Sequence, residues 1–133
     1  MPAGYSGTHL IKKLGIKEGM KVLLIGEPRN YFTLLEEDLS SQLCLKKEMP
    51  DLVHVFVTNR RVFESHMKKI RQRMKSTTII WVSWYKKSAG IATDITEDVI
   101  RGYALHNDLV DVKVCAVSDV WSGLKLVVPL AKR

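Results

Sequence analysis

The feature that most constrains the fold is a regular alternation of short apolar runs with amphipathic segments along the chain. Strands are expected where the runs are rich in apolar, β-branched or aromatic residues, since such residues suit a buried sheet. These runs occupy residues 20–25, 52–57, 78–84, 109–117 and 124–128. The last two are joined by residues 118–123, a connection short enough to predict a hairpin, and residues 42–46 are a further candidate for a short strand.

Helices are predicted between the strands, where apolar residues recur at a spacing of three and four. A short helix at residues 10–14 ends at Gly15, and a second helix follows Pro28. The third begins at Thr58 or Asn59 as its cap. The spacing of Asp94 and Glu97 is that of a capping box and predicts the start of the fourth. The side chains expected to be buried are Tyr31, Leu34, Leu35, Leu39, Phe63, Met67, Ile70, Met74, Ile95, Val99 and Tyr103.

Alternating strands and helices of these lengths predict a single α/β domain built as a three-layer, Rossmann-like sandwich. The sheet is expected to be mostly parallel and to end in a C-terminal antiparallel hairpin. The domain spans residues 1–133, of which 1–19 form an N-terminal extension with a short helix. In such sheets ligands bind outside the carboxyl ends of the strands, so the informative loops lie at that rim.

Composition excludes several classes of protein. No apolar run approaches the roughly 18 to 20 residues of a membrane span, and the N-terminus lacks the pattern of a secretory signal, so the sequence predicts a cytoplasmic protein with no membrane partner. Cys44 and Cys115 both fall in apolar segments and predict buried free thiols. The four histidines are scattered without metal-ligand spacing, so no metal site is predicted.

The loop after the first strand argues against a nucleotide cofactor. A dinucleotide site needs several glycines so that backbone amides can approach a pyrophosphate, whereas this loop has only Gly26. Glu27 places a negative charge where a phosphate would lie, and Pro28 removes an amide donor. The sequence therefore predicts no cofactor.

A small anionic ligand is the best candidate for the rim. Lys86 and Lys87 follow the third strand directly, and Trp121 begins the returning strand at the same rim. Together with Asn59 and Ser83, these residues are predicted to surround one shallow depression, with charge from the lysines and a stacking face from Trp121. In the alternative, Trp121 turns into the core and the lysines point into water.

No catalytic residue is predicted. Ser122 lies in a Trp-Ser-Gly sequence rather than a nucleophile elbow, and no histidine and acid can be assigned to activate it. Asp94 could act as a general base beside Lys87, but its capping position is the simpler explanation and is favoured.

The segment 60–75 holds seven basic residues and one acid, and so accounts for most of the net charge of +7. This predicts either a nucleic-acid interface or a solvated helix face, and the second is favoured because aromatic residues that could stack on bases are absent from its outward side.

Six segments of the chain form a recognisable set: GYSGT (4–8), KLGI (13–16), IWVSW (80–84) with KK (86–87), TDITED (93–98), LVDVKVCAV (109–117) and WSGLK (121–125). With them the chain resembles an uncharacterised bacterial family of small Rossmann-like proteins that look like abbreviated class I methyltransferases. The resemblance covers nearly the whole chain, although relatives more often carry proline at Tyr85 and glycine at Asp108. The resemblance implies a fold and a bacterial origin but no activity.

Three functions are compatible with these features. The first is a non-catalytic protein that binds a small ligand or a protein partner at the carboxyl-end rim. The second is a divergent methyltransferase that uses adenosyl-methionine, and the third is a nucleic-acid-binding protein acting through the basic helix 60–75.

Overall fold

A computed structural model describes residues 9–133. The chain alternates strands and helices in the predicted order. The strands are β1 (Val22–Ile25), β2 (Leu52–Phe56), β3 (Ile79–Tyr85), β4 (Val110–Ala116) and β5 (Trp121–Val127). The helices are α1 (Leu10–Leu14), α2 (Tyr31–Leu35), α3 (Arg60–Arg73) and α4 (Glu97–His106).

One five-stranded sheet has the order β1-β2-β3-β5-β4. The pairs β1–β2 and β2–β3 are parallel, whereas β5 is antiparallel to both β3 and β4. Four strands therefore point one way, and β5 alone returns between two of them. This confirms the Rossmann-like α/β prediction, including the antiparallel C-terminal hairpin.

The connection from β1 to β2 reverses direction at the outer edge of the sheet. Val22 pairs with Leu52 of β2 on one side and forms an isolated parallel bridge with Leu43 on the other. The predicted strand at 42–46 is reduced to this bridge. Because the chain passes outside β1 before it returns to β2, the topological switch point lies at the carboxyl ends of β1 and β2.

Strand alternation divides the apolar residues between two faces, each with its own core. On β2, Val53 and Val55 face α3 and α4, whereas Leu52 and Phe56 face α1 and α2. The indole of Trp81 lies on the second face, and its Nε1 donates to the carbonyl oxygen of Leu14 at 2.9 Å. This bond ties the end of α1 to the centre of the sheet.

The predicted start of α4 is wrong. Its N-cap is Thr96, whose side chain accepts from the amide of Val99, and the carboxylate of Asp94 instead accepts from the amide of Arg60 at the start of α3. The predicted burial of Ile95 is confirmed, but it lies before the helix; within α4 the buried residues are Ile100 and Ala104, and Val99 and Tyr103 pack partly buried against the same core.

The cap residue predicted for α3 is correct. Asn59 accepts from the amide of Val62 at 2.9 Å, and Asp94 supplies a second acceptor at the same helix end. The adjoining Thr93 hydroxyl donates to the carbonyl oxygen of Thr58 at 2.7 Å. These bonds fix the loop before α4 against the loop after β2.

Helix α2 is much shorter than the sequence pattern predicts. It ends at Leu35, because Glu36 adopts a left-handed conformation with φ of 59°. Leu39 is nevertheless fully buried. Asp108, where the resemblance implies glycine, likewise has a φ of 57°.

The outer strand β4 is irregular. Asp111 pairs with Leu126 of β5, but the next paired residue is Lys113, which lies opposite Lys125, so the strand contains a β-bulge between these positions. Among residues 9–133, no helix is long and apolar enough to cross a membrane.

Gly26 is the glycine on which the fold most depends. It has a φ of 69°, and a Cβ there would lie 2.7 Å from the carbonyl oxygen of Phe56. We expect Gly26→Ala to lower the free energy of unfolding by about 2 kcal/mol or more, since left-handed strain and a backbone clash add together. Denaturant unfolding would measure the change.

Gly102→Ala is the matched control, because a Cβ at Gly102 within α4 meets nothing within 4 Å. Its expected effect is stabilisation by roughly 0.5–1 kcal/mol, as alanine is the better helix former. Equal stability of G26A and the unmodified protein would contradict the close approach of the two strands.

Candidate functional site

An open cavity of about 850 Å³ lies at the carboxyl-end rim, between the end of β3 and the start of α4. It is on the α3 and α4 side of the sheet, because Trp84, which lines it, belongs to that core. Ser122 is the cross-strand partner of Trp84 and lines the same cavity. The volume falls within the range of about 300–1,000 Å³ typical of small-molecule sites.

Two predicted site residues, Lys86 and Lys87, form one wall of the cavity. The amide of Lys86 donates to the carbonyl oxygen of Val120 at 2.8 Å, which fixes the end of β3 to the turn before β5. Lys87 is exposed and opens a single helical turn that ends at Gly90. The backbone that carries both ammonium groups is therefore held in place.

The opposite wall belongs to the loop before α4 and to its first turn. Thr93 and Thr96 contribute hydroxyl groups, and the acidic residues there are Glu97 and Asp98. The carboxylate of Glu97 is paired with Arg101. Charge is thus distributed unevenly, with ammonium groups on one side and carboxylates on the other.

Trp121 lies at the same rim but on the other face of the sheet. It is paired with Tyr85, and their rings stack with centroids 4.5 Å apart. The edge of Phe56 meets the Trp121 ring at 5.0 Å. The Trp121 ring, predicted to stack on a ligand, therefore packs against protein rings. Because alternate residues of a strand point to opposite faces, Trp121 lies on the face opposite Ser122 and the cavity.

The remaining predicted residues also lie away from the lysines. Ser83 is fully buried, and Asn59 caps α3. The structure thus brings Lys86 and Lys87 into one cavity and places Asn59, Ser83 and Trp121 elsewhere. Ligand binding at the lysines stays a prediction.

Ser83 belongs to a buried chain of hydrogen bonds that the sequence did not reveal. The ring of His54 is bonded through Nδ1 to the hydroxyl of Tyr31 at 2.7 Å and through Nε2 to Ser83 Oγ at 2.8 Å. Burial lowers the pKa of His54 to about 3 and raises the pKa of Tyr31 above its ordinary value. The imidazole is therefore neutral at pH 7, and its bonds join α2, β2 and β3.

His54 should make stability depend on pH. Its folded pKa lies below the unfolded value, so its contribution is fully present above about pH 6.5 and is lost as the pH falls towards 3. We expect the free energy of unfolding to fall by up to about 1.4 kcal/mol per pH unit from this group. His54→Gln should be less stable at pH 7 but lose this part of the slope, as measured by urea unfolding at pH 7 and pH 5.

His106→Gln serves as the control, since His106 is exposed and bonded only to the carbonyl oxygen of Gly102 in its own helix. It should keep the slope of the unmodified protein. An unchanged slope in H54Q would contradict a neutral buried imidazole.

The loop after β1 retains one element of a dinucleotide-binding loop. Gly26 stands at the first glycine position, but Pro28 and Tyr31 occupy the second and third. Tyr31 is 2% exposed and holds His54, so it fills the space that a glycine would leave for close packing. Glu27, by contrast, is exposed to solvent.

Several basic residues of the segment 60–75 serve the fold. Arg73 donates to the carbonyl oxygens of Leu45 and Glu48, and Lys75 is paired with Asp51. Arg60 lies within salt-bridge distance of Glu64. The excess charge of the segment is therefore partly used within the protein.

The two thiols differ in position. Cys115 is in β4 as predicted, and burial raises its pKa. Cys44 lies outside the named strands, and its Sγ is 3.3 Å from the carbonyl oxygen of Glu48. Within residues 9–133, no three His, Cys, Asp or Glu side chains are grouped so that they could hold a metal ion.

Neither a protein-family model nor a curated protein matches this chain. Solved structures do match it. The chain has a methyltransferase-like Rossmann fold.

Three matches define this similarity. A tRNA methyltransferase of Bacillus subtilis has a TM-score of 0.60 at 9% identity, covering 97% of this chain and 67% of that one. A putative type 11 methyltransferase of Sulfolobus solfataricus has a TM-score of 0.54 at 15% identity, covering 85% and 86%. A ribosomal-protein methylase of Lactobacillus delbrueckii has a TM-score of 0.53 at 11% identity, covering 88% and 73%. Identities this low establish the fold alone.

Proposed function

We propose that this protein binds a small organic anion in the rim cavity without transforming it. The observation that carries the proposal is the position of Lys86 and Lys87, two adjacent lysines on the wall of a cavity that is also lined by hydroxyl groups and by the indole of Trp84. A carboxylate or phosphate group of the ligand would meet the two ammonium groups. Its apolar part would lie against Trp84.

The recognition chemistry suits a ligand with one charged end. The hydroxyl group of Ser122 can donate to or accept from polar atoms of the ligand, and that of Thr96, which accepts from the amide of Val99, can still donate. The carboxylates of the opposite wall disfavour a second negative charge there, so a ligand with a single anionic group is preferred over one charged at both ends.

A non-catalytic role is supported by the bonds that the candidate catalytic groups of the cavity already make within the protein. Asp94, the candidate general base, is committed to the amide of Arg60, and Glu97 is committed to Arg101. Ser122 lines the cavity, but the described lining residues include no histidine to activate it. The cavity therefore offers charge and shape rather than a nucleophile and base.

The methyltransferase alternative is supported by the fold. It requires adenosyl-methionine at the switch point, where the backbone of Gly26 lies against the end of β2 and Pro28 replaces the second glycine. Glu27 is there to accept a hydrogen bond, but the amide pattern of a glycine-rich loop is not reproduced. Ligand binding at the lysine cavity is the better supported function. A bacterial origin, implied by the sequence resemblance, and the cytoplasmic setting expected from the sequence are part of the same proposal.

Replacing both lysines tests the cavity directly. A thermal-shift screen of carboxylates and phosphate monoesters should give a ligand that raises the melting temperature, since a ligand at 100 times its Kd stabilises by about 2.7 kcal/mol. Lys86→Ala with Lys87→Ala should abolish the shift. The melting temperature without ligand should change little, because neither side chain is fully buried.

Lys46→Ala with Lys47→Ala is the matched control, as these adjacent lysines are exposed and lie outside the cavity. It should keep the full ligand shift. A ligand shift that survives in K86A/K87A would show that the lysines are not the binding groups.

Calorimetry with adenosyl-methionine separates this proposal from the methyltransferase alternative. We expect no binding tighter than about millimolar, because the loop after β1 lacks the amide donors and glycines that a nucleotide cofactor uses. A micromolar dissociation constant that is lost in a Glu27→Lys variant, with the fold intact, would favour the methyltransferase instead.

A further inference from the structure

We propose that the sheet face around Lys113 and Lys125 binds the phosphate backbone of nucleic acid. This face is separate from the rim cavity, which lies on the α3 and α4 side. The proposal rests on the register of the sheet and on the charge that this register places together, and it does not depend on the function proposed for the cavity.

One row of side chains crosses three strands on the α1 side of the sheet. Trp81 of β3 lies opposite Lys125 of β5, and Lys125 lies opposite Lys113 of β4. The two lysines are therefore direct cross-strand neighbours, with Cβ atoms expected to be roughly 4.5–5.5 Å apart. The ammonium group of Lys113 lies 6.0 Å from the centroid of the Trp81 ring.

Like charges directly opposite each other in a sheet are unfavourable. Partial burial and the charge of Lys113 together lower the pKa of Lys125. The carboxylate of Asp111, two positions from Lys113, lies on the other face, where it accepts from Arg101 at 3.1 Å. The bulge between Asp111 and Lys113 produces this separation, so the strand itself turns its acid away from the lysines.

Helix α1 extends the positive charge beyond the sheet. Its last turn carries Lys12 and Lys13, and the same helix end accepts the Trp81 indole through the carbonyl oxygen of Leu14. Helix α1, Trp81 and Cys115 of β4 belong to the same core on this face of the sheet, and Lys113 lies over Trp81, so Lys13 and Lys113 are on one side of the sheet. The patch formed by Lys13, Lys113 and Lys125 therefore spans a helix end and two strands, whereas Lys12 lines a separate cavity with Glu18 and Glu37.

The form of the patch favours a polymer of phosphates over a small ion. Its lysines lie on two strands and at a helix end, an arrangement that a chain of phosphates can follow. Lysine is a point charge that suits phosphate without selecting geometry. Since Trp81 is fully buried, its ring is unavailable for base stacking, and binding through the lysines is expected to follow the backbone without regard to sequence.

Fluorescence anisotropy tests the proposal with a labelled single-stranded RNA of about 20 nucleotides, longer than the roughly 4–16 nucleotides of a typical single-strand site. The unmodified full chain should bind at low salt and weaken steeply as salt is added. Lys113→Gln with Lys125→Gln should weaken binding about tenfold and reduce the salt slope by about 1.4, which is about 0.7 for each lost phosphate contact.

Lys68→Gln with Lys69→Gln is the control. These two lysines are adjacent and exposed on α3, so the variant removes the same charge from the other side of the sheet. It should change affinity by less than about twofold, through net charge alone. A larger loss in K68Q/K69Q than in K113Q/K125Q would assign binding to α3, and absence of salt-dependent binding by the unmodified chain would overturn the proposal.

Melting temperature provides a second readout. Because the two lysines repel each other, K113Q/K125Q should melt at the same temperature as the unmodified protein or higher, although it binds RNA more weakly. The single variant Lys113→Gln, at an exposed residue, should likewise bind RNA more weakly without a lower melting temperature, and both effects should be smaller. Reduced binding that accompanies a lower melting temperature in both variants would indicate a structural role and overturn the proposal.

Discussion

His54 lies in the middle strand of the parallel half of the sheet without contact to solvent, and its ring nitrogens determine how the neighbouring elements pack. A buried polar group is costly unless it is hydrogen-bonded, so Tyr31 and Ser83 must both be in place. Phe56 then stacks on the imidazole and meets Trp121 at the rim. A chain of contacts thus runs from α2 through the sheet to its carboxyl edge.

This series of contacts explains why the rim has packed aromatic rings on one face of the sheet and an open cavity on the other. The aromatic residues that continue from His54 occupy the α2 side, whereas Trp84 and Ser122 point to the α4 side with the cavity lysines. Neighbouring residues of one strand therefore lie in different environments on the two faces of the sheet. Packed rings fill the aromatic side, whereas the lysine side holds an open cavity.

The sequence was sufficient for the succession of strands and helices, the antiparallel hairpin and the position of the two lysines after β3, because alternating hydrophobic patterns and chain order determine these features. It was insufficient to predict the side of the sheet on which Trp121 lies, because that side depends on the pairing of Trp121 with Tyr85. The start of α4 was misplaced because Asp94 and Thr96 are both good caps, and only tertiary contact with α3 decides between them. His54 was missed since a lone histidine in an apolar run carries no local signal; its partners are 23 and 29 residues away.

The bulge in β4 has a consequence for association between molecules. An outer strand presents unpaired amides and carbonyls that can join the sheet of another molecule. Between Asp111 and Lys113 the regular spacing of those groups is broken, and a charged side chain follows directly. A second strand approaching this edge would lose register after a few residues. The edge is thereby protected against the edge-to-edge strand pairing that leads to aggregation, even though Val112 and Val114 are exposed beside it.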